Sequence, residues 1–263
     1  GEAPLPVPES RAGKSRKKNL GTSLNPLFTF ENFIEGPSNQ MAAKYCHYVV
    51  DQLGNTQHNP FFIYGPTGLG KTHLMHAVGH QLMKQNPGAK VLYLTSEYFV
   101  QRLVTALQKG QVDAFKDECR SQDLLLIDDV HLLAGKEKSL TEFAALFNVL
   151  LDQSRQIILT SNRHPKLLTE LQERLTSRLS WGVAVEVEPP ALETRVEILL
   201  KKAELVQLHL PRTCALFIAE NVAGNVRELE GALNKVRLTA NFKGIDINLA
   251  LIRESLKDIL AMR

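Results

Sequence analysis

Residues 65–72 read Gly-Pro-Thr-Gly-Leu-Gly-Lys-Thr. They satisfy G-x-x-x-x-G-K-[ST] in full and stand between an apolar run and a helical one. Gly65, Gly68 and Gly70 let the backbone curl with its N–H groups inward, and the helix N-terminus that follows adds partial positive charge. In such a loop Lys71 reaches the β- and γ-phosphates of a nucleotide, and the Thr72 hydroxyl ligates Mg²⁺. A second constellation is Leu-Leu-Leu-Ile-Asp-Asp, 124–129, an apolar strand that delivers two acids beside the phosphate loop of a parallel sheet. Asp128 is expected to hold Mg²⁺, directly or through water, and Asp129 to orient or deprotonate the attacking water. Asn162 ends the run IILTSN and can hydrogen-bond the same water. Arg174 and Arg178 lie in RLTSR, just before another apolar run. An arginine supplied by one subunit to its neighbour would neutralise charge developing on the γ-phosphate. Arg227 sits in the first turn of a helix opened by Gly224-Asn225, where a cation opposes the helix dipole and is better explained by an anionic partner. His73, His76 and His80 share one helical face, but no cysteine or acid completes a metal-ligand set around them. His131 is expected to be structural.

These residues need a scaffold. Short apolar runs at 61–64, 91–95, 123–129, 157–162 and 183–187 alternate with helical periodicity at 73–85, 139–153 and 167–179. That order predicts α/β architecture with a parallel sheet covered on both faces. A helix is expected from Ser38 as N-cap, through Met41, Ala42, Tyr45, Val49 and Leu53. The connection 96–122 holds 27 residues, enough for two helices with Gly110 as a stop, where a simple crossover needs about 10–12 residues. Beyond Pro189-Pro190 only helical periodicity remains, at 192–208, 211–221, 225–240 and 248–261. The expected organisation is a basic linker at 1–24, a nucleotide-binding α/β unit at 25–189, and an all-helical unit at 190–263.

Composition narrows the partners. Residues 1–24 carry five basic and two acidic side chains, which accounts for the whole formal charge of +3. A neutral remainder argues against holding duplex DNA by bulk phosphate neutralisation. Three separated cysteines, Cys46, Cys119 and Cys214, draw no disulfide framework and suggest reduced thiols in a cytoplasmic protein. No run approaches the ~20 apolar residues of a membrane span. The chain opens on Gly rather than Met, so a longer parent protein is expected.

In order and spelling, these elements are familiar. The chain resembles the ATPase domain of the bacterial DnaA replication-initiator family, of the AAA+ class, from about Leu24 to the C-terminus. The resemblance rests on NPLFTFENFIEGPSNQMA, NPFFIYGPTGLGKTHLMHA, LLLIDDVHLLAGKEKS, QIILTSNRHP, RLTSRLSWG, VEPPALETRVEILLKKA and NVRELEGALNKV. The phosphate loop and acid pair are shared by many ATPases, whereas SRLSWG with NVRELEGALN is far more specific. It implies a P-loop AAA+ fold, a five-stranded parallel sheet flanked by helices with a small all-α lid. It implies ATP and ADP as ligands, with slow hydrolysis. FENFIEG, through Phe33 and Ile34, would cup adenine, and Thr67, Leu69 and His73 would join the loop's nucleotide contacts. The helical pair at 96–120 would make ATP-bound subunits stack as an open helical oligomer. Val104, Arg120 and Lys138 would face single-stranded DNA, Arg178 would be the finger supplied in trans, and Arg227 the second sensor. Asn162 stands where some members carry Asp, and SRLSWG has Leu-Ser where an aromatic and Gly are often seen. Duplex origin DNA would be read by a C-terminal helix-turn-helix domain, and the replicative helicase machinery engaged by an N-terminal module, neither supplied here. Alternatives are a helicase loader or initiator-regulating relative, and a nucleotide-gated scaffold with negligible turnover.

Overall fold

The computed structural model describes residues 23–175, 181–222 and 224–261. Five parallel strands form one sheet: β1 (Phe61–Tyr64), β2 (Val91–Thr95), β3 (Leu124–Asp128), β4 (Gln156–Ser161) and β5 (Val183–Glu186), in the order β2-β3-β4-β1-β5. The central strands are largely apolar because both faces are covered. Phe62, Leu125, Ile127, Ile157 and Leu159 point into one core cluster, while Phe61, Ile63, Leu124, Leu126 and Ile158 point into the other. Helices α1 (Gln40–Asp51) and α2 (Lys71–Gln85) pack on the second face. Helices α3 (Ser96–Gln108), α4 (Val112–Arg120), α5 (Glu137–Asp152) and α6 (Thr169–Leu175) pack on the first.

Two expectations need correction. Helix α1 is preceded by Asn39, not Ser38, and the Asn39 side chain makes no cap bond. Its Oδ1 accepts from the Gly36 N–H at 2.9 Å and its Nδ2 donates to the Ile34 carbonyl at 3.0 Å. The asparagine thus closes the preceding loop instead of the helix. Strand β5 is the least buried of the five. It is an edge strand in which only Val185 is buried, so its sequence alternates where the inner strands do not.

The 27-residue connection is indeed a helix pair. Gly110 ends α3 with φ +65°, a conformation glycine adopts without penalty. The Arg102 guanidinium forks onto Glu118 at 2.9 and 2.7 Å and lies 4.9 Å from the Phe115 ring centroid, bracing α3 against α4. Helices α7 (Leu192–Leu205), α8 (Arg212–Asn221), α9 (Val226–Lys243), α10 (Leu249–Ser255) and α11 (Lys257–Ala261) follow. They enclose an apolar cluster of their own, and the single helix expected at 248–261 is divided at Leu256. All three cysteines are buried free thiols; burial pushes the Cys119 thiol up to about 12. Among the described residues no helix is long and apolar enough to cross a membrane.

Candidate active site

The strand order sets β1 between β4 and β5, with β3 beyond β4. The C-terminal ends of β1, β3 and β4 therefore open on one crevice, where open parallel sheets hold ligands. The phosphate loop leaves β1 there. The Gly65 N–H donates to the Ser161 carbonyl at 3.3 Å, tying loop to strand tip. Gly65 has φ +142°, and a Cβ at that position would lie 2.2 Å from the Val187 carbonyl oxygen, so only glycine fits. Lys71 Nζ donates to the carbonyls of Gly65 and Pro66 at 2.7 and 2.8 Å. Burial lowers its pKa, and Asp129 and Asp128 oppose the shift.

The acid pair sits directly behind the loop. Asp128 is buried, and its carboxylate accepts from three hydroxyls. Thr72 and Tyr93 donate to Oδ2 at 2.7 and 3.0 Å, and Thr160 donates to Oδ1. The Asp129 N–H donates to Thr160 Oγ1 at 2.8 Å, holding Asp129 at φ +57°, a left-handed conformation uncommon for residues other than glycine. Asp129 stays half exposed. Its pKa is raised, first by burial and then by the neighbouring Asp128 charge. His131, expected to be structural, lies between the acid and Asn162. Its Nδ1 accepts from the Asn162 N–H at 3.4 Å and stands 4.0 Å from Asp129 Oδ1. Burial lowers the His131 pKa, so the neutral ring orients the Asn162 backbone and has no Nδ1 proton for the acid.

The other end of the crevice is a pocket of about 230 Å³. Phe33 and Ile34 line it, as do Thr67, Gly68, Leu69, Gly70, Lys71, Thr72, His73, Asp129 and Arg227. Gly65 and Asp128 stand one layer back, joined to the wall through Lys71 and Thr72. The aromatic Phe28, to which the sequence alone assigns no pocket role, stacks on His73 with centroids 4.8 Å apart. The three spaced histidines share one set of contacts. The His73 Nε2–H donates to the Thr29 carbonyl at 2.7 Å, His76 Nδ1 accepts from the Asn25 N–H at 2.9 Å, and the His80 Nε2–H donates to the Asn25 carbonyl at 2.8 Å. They fasten segment 25–29 along α2. Burial above all pulls His73 and His76 down to about 4, so both are neutral at pH 7. Among the described residues no cluster of three His, Cys, Asp or Glu side chains is arranged to hold a metal.

The helical unit supplies the remaining wall. Asn225 Oδ1 caps α9 by accepting from the Glu228 N–H at 3.0 Å. The Val226 N–H donates to the Gly68 carbonyl at 2.9 Å, locking the helix start onto the phosphate loop beside Arg227. Lys202 Nζ lies 5.8 Å from the Phe28 ring centroid and 2.5 Å from Glu230. Asn162 does not line the pocket. Arg178 lies outside the described residues, as does the Arg174 side chain. Val104 and Lys138 are exposed on α3 and α5, and Arg120 ends α4 paired with Asp117 at 2.9 Å. These three belong to the layer away from the pocket.

The donor set suits a nucleotide and a hard cation. Ser38 Oγ lines the pocket, buried and without a protein partner, and Thr72 and Asp128 offer adjacent oxygens of the kind Mg²⁺ prefers. The sequence model described as the bacterial DnaA ATPase domain matches residues 24–186. The chain belongs to that family. The chromosomal replication initiator protein DnaA of Acinetobacter baumannii (strain ATCC 17978) is 63% identical over 261 residues, covering 99% of this chain and 56% of the relative. The chain thus spans about half the length of the curated relatives it matches. Domain III of the Thermotoga maritima replication initiation protein DnaA is 40% identical with a TM-score of 0.86, covering 91% of this chain and 99% of that one. A replication initiator DnaA solved with AMPPCP and single-stranded DNA is 34% identical with a TM-score of 0.72, covering 90% of this chain and 82% of that one.

Proposed function

We propose that this chain is the ATP-binding and ATP-hydrolysing core of a bacterial replication initiator working in the cytoplasm, and that ATP drives its assembly into a helical oligomer on origin DNA. One observation carries the reading. A phosphate loop with a buried lysine, two acids sharing the Thr160 hydroxyl, and a cation from a second helical unit converge on one pocket. Lys71 is preset at the centre of the loop for the β- and γ-phosphates. Thr72 and Asp128 would hold Mg²⁺, which when bound draws charge from the phosphate oxygens. Asp129, with its raised proton affinity, takes the proton of the attacking water more readily than an ordinary aspartate. Arg227 stabilises charge from the lid side, and Val226 makes the lid answer to the loop's conformation. Residues 190–263 act as that lid and 25–189 as the nucleotide-binding body.

Assembly follows if Arg178 reaches a neighbour's γ-phosphate. Single-stranded DNA would then lie against Val104, Arg120 and Lys138, promoting strand opening. Duplex origin DNA and the helicase machinery would be engaged by other parts of the parent protein. Sedimentation with ATP or ADP, with and without single-stranded DNA, tests this. ATP alone should give large species, and Arg178→Ala should abolish them while monomer affinity for ATP stays within about threefold. Nucleotide-independent monomers throughout would contradict it.

A further inference from the structure

The carboxylate of Asp128 is held more tightly than a metal ligand of the phosphate loop requires. Three hydroxyls from three separate elements reach it: Thr72 on α2, Tyr93 on β2 and Thr160 on β4. An ionised carboxylate has about four lone-pair sites, so the rotamer is fixed from both oxygens. The direction of each bond is dictated. Thr160 Oγ1 accepts from the Asp129 N–H, so its single proton goes to Asp128. Tyr93 is buried, with its ring edge-on to His76 at 4.2 Å, and its phenol donates to Oδ2. Thr72 differs from the other two: its hydroxyl would be the one to turn to the cation when Mg²⁺ is bound. Tyr93 and Thr160 remain on the carboxylate.

We infer that Tyr93 and Thr160 are positioning residues for the divalent cation of the ATP complex, holding Asp128 in its ligating rotamer while Thr160 also fixes the backbone of Asp129. The inference rests on the reading of Asp128 as the cation-holding acid. Both residues lie inside apolar strands, at VLYLT and QIILTS, where a polar side chain needs a partner. Outer hydrogen bonds to a metal ligand are each worth about 10–100-fold in metal affinity.

The test uses the full chain with a fluorescent ATP analogue and reads the Mg²⁺ concentration giving half-maximal nucleotide retention, with Mn²⁺ paramagnetic resonance as a second readout. Asp128→Asn is the control. Tyr93→Phe removes one oxygen and keeps the ring, and Thr160→Val removes the hydroxyl at nearly constant volume. Each should raise the half-saturating Mg²⁺ about tenfold, leave Mg²⁺-free nucleotide affinity unchanged, and Thr160→Ser should restore the wild-type value. A merely structural role would lower the melting temperature without moving the Mg²⁺ midpoint. The inference is overturned if Tyr93→Phe and Thr160→Val stay within twofold of wild type, or if Thr160→Ser behaves as Thr160→Val, whether through the midpoint or through failure to fold. If Asp128→Asn also leaves the midpoint unmoved, the underlying reading of Asp128 falls with it.

Discussion

The two ends of the pocket are built on different principles. At the phosphate-loop end one contiguous loop forms the wall, and its geometry is imposed by glycine backbone and by Lys71 held to two of the loop's own carbonyls. At the end proposed for the nucleotide base nothing is contiguous. Phe28 and Phe33 come from the N-terminal segment, His73 from α2, and Lys202 and Glu230 from the lid helices. The first end is a local motif and tolerates no change in backbone. The second is a packing arrangement whose parts contribute gradually. Effects of substitution should therefore be steep at one end and graded at the other.

The largest effect is expected from Lys71→Ala. It should weaken both ATP and inorganic tripolyphosphate by at least ~100-fold in calorimetric titration, since a charge-assisted set of bonds to the phosphates is lost. Equal weakening of both ligands marks the phosphate end. Next comes Gly65→Ala, where the new Cβ meets the Val187 carbonyl in a conformation alanine avoids. It should cost about 2–3 kcal/mol in urea unfolding. A change under about 0.5 kcal/mol would show that the loop is softer than its geometry implies. Phe28→Ala should weaken ATP roughly tenfold through lost stacking and burial and leave tripolyphosphate binding as it was. If Phe28→Ala weakened tripolyphosphate equally, the division between the two ends would dissolve.

A separate prediction, read as a slope with pH, concerns the histidines that fasten segment 25–29. His73 and His76 have folded values near 4, below the ordinary value of about 6.5. Between those limits the unfolded chain binds the extra protons, so stability is full above about pH 6.5 and is lost as pH falls toward 4. The urea midpoint should slope downward across that window. His76→Asn, which retains an acceptor for the Asn25 N–H, and His73→Gln, which retains a donor for the Thr29 carbonyl, should each flatten the slope.

The same contrast explains what the sequence reveals. The strands, the helix pair at 96–120 and the phosphate loop are legible because periodicity and glycine spacing are local. Lys71, Thr72, Asp128 and Asp129 are legible because their motifs are contiguous. Phe28 and Lys202, far apart in the chain, meet only when the lid packs on the body, and no local pattern marks them. Tyr93 and Thr160 left a faint signal, a polar group inside an apolar run, yet their common partner Asp128 lies 35 and 32 positions away respectively. Ser38 shows the reverse. It has the residue type of a helix cap, but the neighbouring Asn39 is drawn into closing the loop before α1.

The proposed hydrolysis depends on Asp129 acting on the attacking water. Single-turnover hydrolysis of γ-labelled ATP by the wild-type chain and by Asp129→Asn tests it most directly. The variant should keep ATP affinity within about threefold and lose at least ~100-fold in the hydrolysis rate constant. Equal rate constants for the two proteins would contradict it.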